Sequence, residues 1–180
     1  TTRMVIDLAG HGLWGEDDKI AVACSDGSFV EFALNGTGET KRAIFTGVIP
    51  EGKTLGTVAV WPASAVVSLE GEKLTLKTPV EYSTDDIAYN GVMVASIADS
   101  WEIKFQHVMA RPTFKLSNYP SSAAYLTLSA DGKSLGGRLS MDITSNEGLV
   151  ATNGSQEIKV ATPSPATTLS TYPRHSRCCT

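Results

Sequence analysis

The chain has 180 residues, 42% of them hydrophobic, and this is enough apolar material to build a folded core. Its 15 Lys and Arg residues and 19 Asp and Glu residues give a net charge of −4. The basic residues are scattered, which argues against nucleic acid as a partner. The longest apolar stretch free of turn residues, Val92–Ala98, is far shorter than the roughly 20 residues of a membrane-spanning helix, so we expect no transmembrane segment.

Alternation of apolar and polar residues recurs along the chain, with turn residues between the alternating segments. We find no eleven-residue stretch with a helical stripe. The sequence therefore predicts an all-β fold, a two-sheet β-sandwich of Greek-key or transthyretin-like type with essentially no helix. The predicted strands are Met4–Leu8, Lys19–Cys24, Phe29–Leu34, Ala43–Thr46, Thr57–Trp61, Val66–Leu69, Lys73–Lys77, Val92–Ile97, Trp101–Met109, Thr113–Leu116, Ala124–Ser129, Ser134–Ile143, Glu157–Val160 and Thr167–Thr171.

Two Asp-Gly pairs predict hairpins. Asp26-Gly27 joins two strands whose alternate apolar residues would pack on one inward face. Asp131-Gly132 predicts a second hairpin, between the strands that carry Leu126 and Leu139. Pro112 cannot donate to a ladder, so we expect the chain to bend there or to pass between sheets.

The domain prediction is a β-sandwich over residues 1–161, followed by a linker, a disordered tail or an edge strand over residues 162–180. Three prolines and many Ser and Thr residues favour this reading of the tail. Cys24 stands alone, and Cys178 and Cys179 are adjacent, so the cysteines form no disulfide framework. We predict neither a metal site nor a cofactor.

The segment Gly47–Thr54 fits the phosphate-binding pattern GxxxxGK[ST]. A phosphate cradle needs consecutive backbone N–H groups and a following helix, yet Pro50 lacks that donor and Glu51 repels phosphate. Leu55–Trp61 also has the pattern of a strand. The segment is therefore interpreted as a loop between strands, and a nucleotide-binding enzyme is the weaker alternative.

Gly132–Gly136 fits the GxSxG pattern of serine hydrolases, but no helical pattern follows it. His107 is interpreted as a partly buried, neutral imidazole on the face that carries Ile103, Phe105 and Met109. Glu16-Asp17-Asp18 lacks the spacing of a calcium loop and is interpreted as an acidic turn. We predict no catalytic residue and no enzymatic activity.

The order of several segments resembles the N-terminal domain of the fimbrillin family, the subunits and adhesins of Bacteroidales type V pili. The similarity covers roughly residues 2–143. The residues that carry it are Thr2-Arg3-Met4, Leu13–Val22 with its Trp-Gly-Glu-Asp-Asp-Lys-Ile run, Ala43–Gly47, Val58–Pro62, Ile103–Ala110 and Leu126–Gly137. The tail Tyr172–Thr180 does not share the resemblance.

This resemblance implies an exported lipoprotein, extracellular and either anchored at the outer membrane or part of a fimbria. Such subunits bind one another by β-strand addition after a protease that cuts next to Arg or Lys removes an N-terminal strand. Arg3 is the candidate processing site. The resemblance further implies partners among other pilus subunits and surface proteins or glycans of a host or bacterium.

The alternative function is a glycan-binding β-sandwich module of the bacterial surface, because aromatic faces pack on sugars. An exposed coplanar patch would favour this alternative, whereas buried rings would favour subunit packing. The candidate rings are those of Trp14, Trp61, Trp101, Tyr89 and Tyr119.

Overall fold

The computed structural model of the chain describes residues 5–6, 12–82, 91–97, 102–109, 118, 120, 122–145 and 149–161. These residues form β-strands and one short 3₁₀ helix, Ala63–Ala65. The strands are β1 (Val5–Ile6), β2 (Gly12–Leu13), β3 (Lys19–Cys24), β4 (Phe29–Asn35), β5 (Ile44–Thr46), β6 (Leu55–Trp61), β7 (Val66–Glu70), β8 (Lys73–Thr78), β9 (Glu81–Tyr82), β10 (Met93–Ser96), β11 (Gln106–His107), β12 (Tyr125–Ser129), β13 (Gly136–Asp142), β14 (Val150–Ser155) and β15 (Glu157–Ala161).

The largest sheet has six antiparallel strands in the order β11-β10-β6-β3-β4-β5. The hairpin predicted at Asp26-Gly27 is confirmed, because β3 pairs with β4 through Ile20 opposite Phe32 and Val22 opposite Val30. Gly27 has φ +80, a conformation that glycine adopts without steric cost. We call this sheet the wide sheet.

A second antiparallel sheet has four strands in the order β14-β13-β8-β7, and we call it the narrow sheet. A three-stranded sheet has the order β12-β15-β9, and in it β15 and β9 run parallel. β1 pairs with β2 in a separate two-stranded ladder.

Both faces of the wide sheet are buried at its centre, and two apolar clusters cover them. The first cluster lies on the outer face of the wide sheet and consists of Ile20, Val22, Ala59, Trp61, Met93 and Ala95. The second lies between the wide and narrow sheets and consists of Ala23, Val58, Val60, Ala65, Leu74, Leu76 and Val92. Because five successive residues of β3, Ile20–Cys24, are buried, the prediction of one inward face for this strand is wrong.

The predicted fold class is confirmed: the described residues are almost entirely β, and antiparallel sheets pack across a shared core. The finer Greek-key or transthyretin-like assignment stays a prediction. The predicted domain boundary between residues 161 and 162 also stays a prediction, because residues 162–180 lie outside the described part of the chain.

Two sequence-based expectations are wrong. Asp131-Gly132 does form a turn, but β12 pairs with β15 and β13 pairs with β8 and β14, so the turn connects two sheets and closes no hairpin. Of the predicted strand Trp101–Met109, Gln106–His107 form β11, whereas residues 102–105 form no ladder. Instead, Ile103 and Phe105 pack onto the first apolar cluster.

Three strands were not predicted: β2, β9 and β14. β14 contains Asn153 and Gly154, which are typical of turns, and β2 and β9 have two residues each. The predicted corner at Pro112 and the predicted strands Thr113–Leu116 and Thr167–Thr171 lie outside the described residues.

Replacing Gly27 by alanine tests the contact between the β3–β4 turn and the narrow sheet. A Cβ at Gly27 would lie 2.8 Å from the Leu69 carbonyl oxygen, whereas a Cβ at Gly71, also at positive φ, meets nothing within 4 Å. We expect Gly71→Ala to lower the free energy of unfolding by about 1–2 kcal/mol. Gly27→Ala should lower it by roughly 1–3 kcal/mol more, because Leu69 must also move.

Urea unfolding of the two variants measures this difference. Equal losses of stability would show that the turn does not rest against β7.

Candidate functional site

An open groove runs along the free edge of β7, the last strand of the narrow sheet. Val66–Leu69 form one wall of this groove, while Ala21, Phe29 and Glu31 of the wide sheet line its other side. Its volume is about 480 Å³. Among the described residues β7 pairs with β8 alone. The β3–β4 turn lies against the Leu69 carbonyl oxygen at Gly27, so the part of the free edge that faces the groove is Val66–Ser68.

The groove exists because the narrow sheet ends at β7, while the wide sheet continues past it through β4 and β5. On the face of the wide sheet turned toward the narrow sheet, Glu31, Ala33 and Asn35 of β4 are exposed, and so are Ile44 and Thr46 of β5. We call the exposed part of this face the overhang.

Large aliphatic side chains are exposed near β5 and β7, which are edge strands of the wide and narrow sheets among the described residues. Ile44 is 69% exposed on β5, and Val48 just after it is 84% exposed. Val67, the residue at the bulge of β7, is 38% exposed. Water-exposed aliphatic residues beside unpaired edges are typical of surfaces that bind another strand or chain.

The opposite face of the wide sheet is closed by an aromatic cluster around Trp14. The Trp14 ring contacts the rings of Phe45, Trp61 and Phe105 edge to face, at centroid distances of 5.0, 6.2 and 5.5 Å. Trp61 is 1% exposed and Trp14 is partly buried. These two rings therefore form part of the core and provide no glycan platform.

Asp18 is a buried carboxylate that holds this cluster in place. The Gly15 backbone N–H donates to Asp18 Oδ2 at 2.6 Å, and the Trp61 indole Nε1–H donates to Asp18 Oδ1 at 3.0 Å. Burial raises the pKa of the Asp18 carboxyl, although the hydrogen bonds from Gly15 and Trp61 oppose that rise. The interpretation of Glu16-Asp17-Asp18 as an acidic turn before a strand is confirmed, and within it Asp18 is 1% exposed.

The phosphate-binding pattern is confirmed as a loop between strands, since β6 follows it directly. Lys53 Nζ lies 2.9 Å from Asp26 Oδ2 and donates to Ser28 Oγ at 2.7 Å. Together with the hydrogen bonds from Ser28, Lys53 holds the pKa of Asp26 well below its usual range. The lysine of the pattern thus secures the β3–β4 turn.

The serine-hydrolase pattern requires a strand followed by a helix. Here β13 begins at the last residue of the pattern, and no helix begins there. His107 lies on β11 opposite Met93, where it is exposed. The prediction that this imidazole is partly buried is therefore wrong. β11 has only two residues and ends the wide sheet, so the described part of that sheet adds no strand beyond it.

Within the described ranges, no group of three or more His, Cys, Asp and Glu side chains is arranged to hold a metal ion. The same part of the chain contains no helix long and apolar enough to cross a membrane. Arg3, the candidate processing site, lies outside the described residues, as do Trp101, Tyr89 and Tyr119.

The comparisons with known proteins identify no relative. The chain matches no protein-family model, no curated protein and no solved structure.

Replacing Asp18 by asparagine tests the buried carboxylate. Asparagine keeps one acceptor oxygen, so either the Gly15 N–H or the Trp61 indole N–H loses its partner in the core. We expect this to lower the free energy of unfolding by about 1–3 kcal/mol.

The size of this loss should depend on pH. The folded state raises the Asp18 pKa above 3.8, so it binds the proton more tightly than the unfolded chain does. The stabilising contribution of Asp18 is therefore complete below pH 3.8 and declines as the pH rises through the folded-state pKa.

Urea unfolding of both proteins between about pH 3.5 and about pH 7 measures the effect. The gap between wild type and Asp18→Asn should narrow as pH rises. A gap that widens with pH would contradict the assigned direction.

Proposed function

We propose that this chain is a structural or adhesive subunit of a bacterial surface filament, which assembles when an extended strand of another subunit adds to an open sheet edge. The observation that supports this most is the edge of β7 beside an open groove, where no other strand of the described residues pairs with it. Main-chain hydrogen bonds would supply affinity, and alternate side chains of the donor strand would set the register.

The space between β7 and the facing residues of the wide sheet has the dimensions of an added strand. Sheets pack about 10 Å apart, so a strand added to β7 would lie over β4 and cover Glu31 and Ala33. Side chains pointing down would contact the partly buried Phe29 ring, and those pointing out would remain in water.

The fimbrillin resemblance described from the sequence supports the same proposal and adds its biological setting. In that setting the chain is exported as a lipoprotein, is processed next to Arg3 and is displayed at the outer membrane or in a fimbria. The proposed role requires no catalytic residue, metal or cofactor.

Replacing Val67 by lysine tests whether β7 accepts a strand. A lysine on an open edge opposes strand addition, because a charged side chain must lose water when the edge is covered. We expect Val67→Lys to prevent assembly. The matched control is Val150→Lys, which places the same charge at a 60% exposed valine on β14, the opposite edge of the narrow sheet.

Assembly is followed on unboiled denaturing gels and by negative-stain microscopy, before and after treatment with an Arg-specific protease. A ladder or filaments from wild type and Val150→Lys, lost in Val67→Lys, is the expected result. A wild type that stays monomeric under all of these conditions would overturn the proposed function. If Val67→Lys forms the same ladder of oligomers as wild type, the edge that accepts the donor strand is not β7.

A second candidate function, glycan binding, is favoured by one exposed ring. Tyr125 is 55% exposed on β12, and Lys159 Nζ lies 5.2 Å from the ring centroid. A ring beside an amine offers an apolar face and a hydrogen-bond donor to a sugar. Specific binding on a glycan array that Tyr125→Ala reduces at least tenfold would support this function, and an array without binding would contradict it.

A further inference from the structure

The chain contains three Asn-Gly pairs, Asn35-Gly36, Asn90-Gly91 and Asn153-Gly154. In such a pair the backbone nitrogen of the glycine can attack the side-chain amide carbon of the asparagine, because glycine has no Cβ to hinder the approach. The attack requires the backbone between the two residues to rotate. Local structure therefore decides which pair reacts. Asn90 lies outside the described residues, and the other two pairs can be compared.

Asn35 is the last residue of β4, where the ladder holds it from one side. β4 pairs with β3 only as far as Ala33, so among the described residues Ile44 of β5 is the one ladder partner of Asn35. Ile44 begins a strand of three residues and is itself 69% exposed. Exposed ladder ends of this kind open at a low free-energy cost. The end of β4 can therefore open while the core stays folded.

Gly36 lies in a bend outside the strands, and both it and Asn35 are exposed. A Cβ built at Gly36 would meet nothing within 4 Å. Within the described residues, the Gly36 N–H donates to no backbone carbonyl. No hydrogen bond therefore has to break before the Gly36 nitrogen approaches the Asn35 side chain.

The pair Asn153-Gly154 lies in different surroundings, although its two residues are the same. Asn153 and Gly154 lie inside β14, opposite Arg138 and Gly137 of β13, and further ladder pairs flank them on both sides. A Cβ at Gly154 would lie 2.6 Å from the Ser134 Cβ, so the backbone is also closely packed. Rotation here requires the ladder between β13 and β14 to open.

We propose that Asn35 is a site of spontaneous deamidation in the folded protein, whereas Asn153 is protected by its ladder. The Gly36 nitrogen forms a bond to Asn35 Cγ, the bond from Cγ to Nδ2 breaks, and the proton of the Gly36 N–H leaves with the nitrogen as ammonia. Water then opens the resulting succinimide ring at either carbonyl carbon and leaves aspartate or isoaspartate at position 35. Water is the only co-reactant. This inference does not rest on the proposed function, because it needs no donor strand.

Both products change the end of β4. Aspartate adds a negative charge, and isoaspartate also adds a methylene group to the backbone, which disturbs the pairing with Ile44. The chain just after Asn35 packs against the turn that carries Trp14. There the Glu39 N–H donates to the Trp14 carbonyl at 2.6 Å, and the Trp14 N–H donates to the Thr40 carbonyl at 2.9 Å. The modification is therefore expected to weaken the attachment of Trp14 to the wide sheet.

Peptide mass spectrometry of protein incubated at mildly alkaline pH tests the proposal. Trypsin separates the two sites, because Ile20–Lys41 contains Asn35 and Leu139–Lys159 contains Asn153. Asn35 should deamidate at least about tenfold faster than Asn153 in the folded protein, because opening the end of β4 costs less free energy than opening β14. Electron-transfer fragmentation should identify both aspartate and isoaspartate at position 35.

The unfolded chain is the control for this rate ratio. The residues after the two pairs, Thr37 and Ser155, are chemically similar, so in guanidinium chloride the two rates should become nearly equal. Equal rates in the folded protein would overturn the proposal. A ratio that stays the same after unfolding would also overturn it, because the structure would then not be its cause.

Two matched variants, Asn35→Gln and Asn153→Gln, test the consequence for the fold. Glutamine does not readily close the same ring, so each variant removes one site. Incubated wild type and incubated Asn153→Gln should unfold at a lower urea concentration than fresh protein, whereas incubated Asn35→Gln should keep its midpoint. An equal shift in Asn35→Gln would contradict the weakening assigned to position 35.

Discussion

The buried Asp18 carboxylate is the interaction on which the arrangement of the wide sheet depends. It accepts a hydrogen bond from the Gly15 backbone and another from the Trp61 indole, and it thereby ties the turn before β3 to the end of β6. The Asp18 carbonyl also accepts from the Leu34 backbone N–H, so the same residue reaches β4. Burying a carboxylate costs desolvation free energy. Here the hydrogen bonds of Asp18 fix one position for Trp14 above the sheet.

The aromatic cluster around Trp14 covers the outer face of the wide sheet more completely than the narrow sheet covers its inner face. Trp14, Phe45 and Phe105 cover the outer face as far as β5, so all six strands can form a sheet although the narrow sheet covers only its central strands. The overhang of β4 and β5 and the open edge of β7 follow from this unequal coverage. The proposed strand addition concerns this region, because its acceptor edge is β7.

Local signals in the sequence predict the local structure well. Alternation and Asp26-Gly27 predict β3, β4 and their hairpin, because neighbouring strands joined by a tight turn pair with each other. The same reasoning fails at Asp131-Gly132, where the partners of β12 and β13 are distant in sequence and the turn only passes the chain between sheets.

The candidate site was much less predictable. Nothing in the period-2 pattern of β7 distinguishes an edge strand from a central one, because the pattern reports the faces of a strand and not its neighbours. Asp18 looks like part of an exposed acidic run, and its burial depends on Trp61, 43 residues away. The sequence carries one usable signal for the overhang: on β4 the polar residues Glu31 and Asn35 fall on the face opposite to Phe32 and Leu34.

Hydrogen–deuterium exchange of the assembled protein against the monomer tests the central claim most directly, namely that the β7 edge is where another chain binds. The account predicts that amides of Val66–Glu70 exchange more slowly on assembly, while amides of Val150–Ser155 on the opposite edge of the same sheet exchange at unchanged rates. Protection that appears on β14 and not on β7, or no change on either edge in an assembled sample, would contradict it.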